Sequence, residues 1–281
     1  MVSLRNRVAN KQSLANGLIL TSVITVGLFP VNVSHFEATS FSVREPANGK
    51  LQAIERLSVN NGRPLAEAIV VLEVRFGRVI TYEDPPYVFA GDINDVTESV
   101  RRDLDKFEPG RAPRVLVPKG GKFDFVIVQN ANGSPAQDRT LQRLVHDYAL
   151  SAQSARFRLE KSADAFHVVP TLVRNSSGRL TSQIPVLDAR ITLPAKERTG
   201  FQEIRDFCAE VSRVTGKQVV MGTIPSLLAA HKERYGIPNA TTARIALARM
   251  LKRFEAGRGL SWRLLYDPGM KIFVLNIHSV S

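Results

Sequence analysis

Chemistry in this chain would have to come from five histidines, a single cysteine and a few acidic clusters. His35, His146, His167, His231 and His278 lack H-x-x-x-H or H-E-x-x-H spacing, and none stands beside the cysteine, so the patterns that hold zinc are missing. His146 and Asp147 are adjacent, but neighbouring side chains on a helix diverge by about 100°, which separates them rather than forming a proton relay. Cys208 is alone, which excludes an intramolecular disulfide or a cysteine zinc cluster. Its place on the stripe Ile204, Phe207, Val211 reads as core. "GDINDVTE" lacks the alternate oxygen ligands and closing glutamate of a calcium loop and reads as a turn into a helix capped by Asp95 or Thr97. Glu83 and Asp84 in "TYEDPP" read as a strand end more simply than as an acidic rim. No nucleophile elbow or phosphate-binding glycine loop occurs. The sequence assigns no catalytic residue, no cofactor and no metal, and a non-enzymatic protein is expected. Aromatic side chains remain as candidate partner contacts, namely Trp262, Tyr266, Tyr82 and Tyr87, although core or interdomain packing is the simpler reading of Trp262.

The elements around these residues repeat. "GLSWRLLYDPGMKIFVLNI" aligns without a gap on "SARFRLEKSADAFHVVPTL", with Trp262 over Phe157, Arg263 over Arg158 and Phe273-Val274 over Val168-Val169. Each phrase predicts a hairpin, because aromatic and branched residues flank a turn such as Asp267-Pro268-Gly269. Upstream, Leu65, Ala68, Ile69, Leu72 and Phe76 share one helical face between Pro64 and Gly77, followed by the strand "RVITYED". In the second half Ile204, Phe207, Cys208, Val211 and Val214 do the same before Gly216 and "KQVVMG". A second helix follows in each half. "TLQRLVHDYALSAQ" turns Leu141, Leu144, Val145 and Tyr148 inward, and "NATTARIALARMLKRFEAGRGL" starts at Thr241 or Thr242, turns Ile245, Ala246, Met250 and Leu251 inward, and stops at Gly257 and Gly259.

The expected fold class is α+β, with two duplicated β-α-β / α-β-β domains, each packing two helices on one face of a small mixed sheet. The first domain spans 45–174 and carries an insertion at about 88–139, with a helix in "DVTESVRRDLDKF" and a hairpin in "RVLVPKGGKFDFVIV" turning at Lys119-Gly120-Gly121. The polar stretch 175–185 reads as a linker, and 186–281 as the second domain.

Residues 1–40 look like an address. Arg5, Arg7 and Lys11 precede an apolar run from Leu14 to Val31, with small residues at Ala38-Thr39-Ser40 for cleavage, so export to the periplasm or medium is expected. An uncleaved membrane anchor is the alternative, though Asn16, Gly17 and Pro30 make the run short for a span of about 20 residues. The net charge of +12 favours an anionic partner. Its lysines and arginines are scattered without a basic run, so an acidic polymer or an envelope protein is expected rather than nucleic acid. Nothing in the sequence sets the oligomeric state.

The second half, from roughly Ile191 to Ile277, resembles the short N-terminal domain of secretins and TonB-dependent receptors, the STN domain. "VSRVTGKQVVMG", "ARIALARMLKRF", "GRGLSWRLLYD" and "KIFVLNI" carry the resemblance, and "RPLAEAIVVLEVRFGRVITYED" repeats its opening in the first half. The resemblance implies an exported interaction module that docks a neighbouring protein and has no chemistry of its own. No pore or receptor barrel follows the second copy, so a freestanding module is expected.

Overall fold

A computed structural model describes residues 42–44, 52–130, 134–151, 155–230, 232–254 and 259–280. The apolar N-terminal run, its cleavage site, His35, His231 and Gly257 lie outside these residues.

The first half contains β1 (Ser42–Arg44), β2 (Gln52–Asn61), α1 (Pro64–Phe76), β3 (Val79–Glu83), β4 (Ile93–Asp95), α2 (Thr97–Val100), β5 (Leu116–Pro118), β6 (Gly121–Val128), α3 (Gln137–Leu150), β7 (Ala155–Lys161), β8 (Ala165–Arg174) and β9 (Leu180–Ser182). The second half contains β10 (Arg190–Thr199), α4 (Gly200–Thr215), β11 (Val219–Met221), α5 (Leu227–Ala230), β12 (Lys232–Thr242), α6 (Ala243–Lys252), β13 (Leu260–Asp267) and β14 (Ile272–Ser279). The protein is therefore a mixed α+β fold.

Local sequence accounts for the main helices. In α1, Leu65, Ala68, Ile69 and Leu72 are fully buried, Pro64 occupies the first turn, and Gly77 ends the helix at φ 57°. The α4 helix starts in a capping box, in which Thr199 Oγ1 accepts from the Gln202 amide and Gln202 Oε1 accepts from the Thr199 amide, and Gly216 ends it at φ 67°. Thr242 caps α6 through its side chain. Two residues assigned inward face solvent: Val214 on the outer side of α4, and Ile245, because the buried face of α6 instead carries Arg244 with Ala243, Leu247 and Leu251.

One seven-stranded sheet spans both halves in the order β11-β14-β13-β3-β8-β7, with β9 added to β8. β3 and β13 join the halves in parallel, Tyr82 opposite Arg263 and Glu83 opposite Leu264. Because side chains alternate across a strand, this register sends Tyr82 and Arg263 to one face and Glu83 and Leu264 to the other. Tyr82, Ile80, Phe166 and Phe157 pack with α1 and α3 in the first core, whereas Leu264, Trp262, Phe273 and Leu275 pack with α4 and α6 in the second. The two helix pairs thus cover opposite faces of one sheet.

Several expectations change. Each helix pair is not confined to one sheet face, because α1 and α3 also touch the β2–β6 pair, and α4 and α6 also touch the β10–β12 pair. "KERYGIPNATT", where the sequence signals only a helix cap at Thr241 or Thr242, forms strand β12. The expected hairpin at Lys119-Gly120-Gly121 does not form: β5 pairs with β4 and β6 with β2. The helix in the insertion is only four residues long, with Asp95 accepting from the Thr97 amide but Val96 at the cap position. "NSSG" is not a free linker, since Asn175 Oδ1 accepts from the amides of Ser177 and Arg179 and turns β8 into β9. At the last hairpin, Lys271 rather than Gly269 takes the left-handed conformation, at φ 57°, while Asp267 Oδ1 accepts from the amides of Gly269 and Met270.

Candidate functional site at the seam between the halves

Where β3 meets β13, each half offers the other the sheet face that its own helices leave bare. Buried ionisable groups gather there in three clusters.

On the first face, Glu73 projects from α1. Its Oε1 accepts from the Ile80 amide at 3.0 Å, and its Oε2 accepts from Arg263 Nη2 of β13 at 2.7 Å and meets His278 Nε2 of β14 at 2.6 Å. Arg263 also donates to the Ile80 carbonyl at 2.6 Å. Burial alone would raise the Glu73 carboxyl, but the His278 hydrogen bond and the Arg263 charge outweigh it and hold it at about 2.

On the opposite face, Glu83 Oε1 accepts from Arg244 Nε of α6 at 2.8 Å. The same guanidinium reaches Glu160 of β7 at 3.1 Å and Asp188 in the turn before β10, and Arg158 of β7 holds both Asp188 and Glu160. Burial pushes the Glu83 carboxyl up to about 7, with the charge and hydrogen bond of Arg244 offsetting only part of that rise. Beside it, His167 Nδ1 is 2.8 Å from Thr81 Oγ1 and its ring stacks on Trp262 at 5.5 Å. Burial, followed by the Arg244 charge, lowers the imidazole to about 4 and keeps it neutral.

At the end of β3, Asp84 gathers four donors. Oδ1 accepts from the hydroxyls of Tyr82 at 2.8 Å and Tyr87 at 3.2 Å, and Oδ2 accepts from Arg63 Nε at 2.6 Å and the Tyr266 amide at 2.9 Å. Arg63 Nη2 also donates to the Tyr266 carbonyl at 2.6 Å. Glu83 and Asp84 therefore form neither a rim nor a mere strand end.

The aromatic residues read as contact candidates lie inside. Trp262 is 1% exposed, Tyr82 1%, Tyr266 6% and Tyr87 8%, so all four side chains are largely enclosed by the fold. Tyr82 stacks on Phe157, Tyr266 packs at a tilt against Phe273, and three of the four meet around Asp84. His146 is exposed on α3, and Cys208 is buried, its thiol pushed up to about 12 by burial. Among the described residues no three His, Cys, Asp or Glu side chains form a metal-binding group. No helix among them is long and apolar enough to cross a membrane.

The seam residues Arg63, Glu73, Glu160, Asp188 and Arg244 were not singled out from the sequence, and Arg263 entered only through the repeat alignment. Two had a usable signal: Glu73 follows Ile69 and Leu72 at stripe spacing on α1, and Arg244 precedes Leu247 and Leu251 at the same spacing on α6. A charge on a buried stripe demands a buried partner.

No protein-family model, curated protein or solved structure matches this chain.

Proposed function

We propose that this protein is a non-enzymatic, exported interaction module of the cell envelope, built from two STN-like copies fused along one sheet. Duplication is supported by one order of elements occurring twice. In the first half the β2–β6 pair is antiparallel, β3 pairs parallel with β8, and β8 antiparallel with β7. In the second half β10–β12, β11–β14 and β14–β13 repeat those relations.

The observation that carries the binding role is the β10–β12 pair. Among the described residues each of these strands pairs only with the other, so each keeps one unpaired edge. β12 is 11 residues long and exposes Lys232, Arg234, Pro238 and Asn239. A long strand with a vacant edge is a template for an added strand, and its lysine, arginine and proline suit selective rather than indiscriminate pairing. The convergent ionisable groups, by contrast, are spent on the seam.

A photo-crosslinking residue at Arg234 or Asn239 of the full chain tests this reading in intact envelopes. A discrete adduct from these positions, absent from a probe at the exposed Glu108, is the expected result. Equal labelling from all three sites, or none from any, would overturn it. The charge of +12 favours a second reading, a peptidoglycan or other acidic glycan ligand, for which co-sedimentation with purified cell wall should weaken as salt rises. Export is tested by the mature N-terminus: a start near Phe41 supports it, and a cytoplasmic chain retaining Met1 overturns it.

A further inference from the structure

The Glu83 cluster has more acid than base. Among the described residues three carboxylates face this point, Glu83 from β3, Glu160 from β7 and Asp188 from the turn before β10, against two guanidiniums, Arg158 from β7 and Arg244 from α6. His167 of β8 is the remaining titratable neighbour and is neutral. Full ionisation would leave one uncompensated negative charge in the seam. The carboxylates differ in access to water: the side chains of Glu160 and Asp188 are 35% and 26% exposed, that of Glu83 only 2%. Although the Leu187 backbone approaches, Glu83 Oε2 is buried without a hydrogen bond of good geometry. An ionised carboxylate so placed is costly, and a proton on Glu83 removes the imbalance where hydration cannot.

We propose that this cluster is a proton-operated latch between the halves: with Glu83 protonated, two carboxylates balance two guanidiniums and the seam is closed, and loss of that proton leaves a net buried charge that favours opening of the seam to water. The site is a conformational device independent of which partner the edge strand binds. It makes the joint between the copies responsive to the pH of its compartment.

The test compares the full chain with Glu83→Gln, which is isosteric and carries no charge at any pH. A carboxyl at about 7 in the folded chain and 4.5 in the unfolded chain holds its proton more tightly when folded. Its stabilisation is complete below 4.5 and is lost as pH rises to about 7. His167, at about 4 folded against 6.5 unfolded, acts in the opposite sense, its contribution falling as pH drops from 6.5 to 4. Between pH 4.5 and 6.5 the Glu83 and His167 contributions therefore oppose each other in the wild type, while Glu83→Gln, which lacks the first, gains stability relative to the wild type as pH rises. The ratio of their unfolding constants should change about tenfold per pH unit, about 300-fold across the whole window. Amide exchange at Asp84 and Tyr266, which bond across the seam, should accelerate above pH 7 in the wild type beyond the intrinsic base catalysis and beyond that in Glu83→Gln. Parallel pH profiles for the two proteins would overturn the latch. If the variant does not fold, carbon-13 titration of the Glu83 carboxyl in the wild type decides: a midpoint near neutrality upholds the proposal, and ionisation complete below pH 5 overturns it.

Discussion

Replacing Glu73 by glutamine should destabilise the whole chain, not only its first half. The amide keeps the side-chain volume and can still accept from the Ile80 amide, but it leaves Arg263, 6% exposed, without its counter-charge. Breaking a buried ion pair by removing one partner costs about 3–5 kcal/mol. The carboxyl itself gives an independent figure: held at about 2 against 4.5 in the unfolded chain, it contributes about 3 kcal/mol at neutral pH. The sign follows from the depressed value. Stability from Glu73 is present above pH 4.5 and lost as pH falls toward 2, so wild type and Glu73→Gln should converge over that window.

Urea unfolding at pH 7, read by Trp262 fluorescence and far-ultraviolet circular dichroism together, measures this directly. Trp262 is the only tryptophan and lies in the second half, so a Glu73 effect on its fluorescence midpoint reports coupling across the seam. Adding Arg263→Met to Glu73→Gln should restore much of the loss, because an apolar replacement removes the stranded charge. A loss below about 1 kcal/mol, or one that persists unchanged at pH 2, would refute the reasoning.

Asp84→Ala strands four donors at once and should cost more than about 3 kcal/mol in the same assay, with less than about 1 kcal/mol showing that the cluster is dispensable. Gly216→Ala should lose about 1 kcal/mol, since the added methyl group has open space around it but the backbone sits at φ 67°. An unchanged midpoint would mean that the helix end relaxes. The Cys208 thiol, buried and pushed up to about 12, should react with an aromatic disulfide reagent only at the rate of unfolding, and rapid labelling of the native chain would contradict its burial.

Periodic apolar faces, Pro64, Gly77, Gly216 and the Thr242 cap made the main helices and both hairpins legible, because all are local signals. Strand β12 was hidden by Gly236 and Pro238, which read as loop residues. Gly236 is instead a fitting requirement, since a Cβ there would stand 2.5 Å from the Ala195 backbone, next to the irregular register of β10. The false hairpin has a similar cause. A Cβ on Gly120 would stand 2.1 Å from the Asn61 carbonyl, so Gly120 serves a close crossing with the end of β2 rather than a turn between β5 and β6. Strand partners are not written in local pattern, and neither are side-chain hydrogen bonds whose members stand 161 to 205 residues apart.

The distribution of those pairs explains how so short a junction is specified. β3 and β13 share only two registered pairs, and apolar residues on both strands would fit a neighbouring register nearly as well. A shift by one residue reverses every side chain of β3. It would carry Glu83 to the face of Glu73, placing two acids against one Arg263, and would strand Arg244 on the other side without its most buried partner. Arginine–carboxyl hydrogen bonds on opposite faces of the same two strands therefore penalise a slip in either direction. Buried charge at this seam adds little net stability over a well-packed apolar joint, but it discriminates against the wrong alignment, which hydrophobic contact between the same strands would not do.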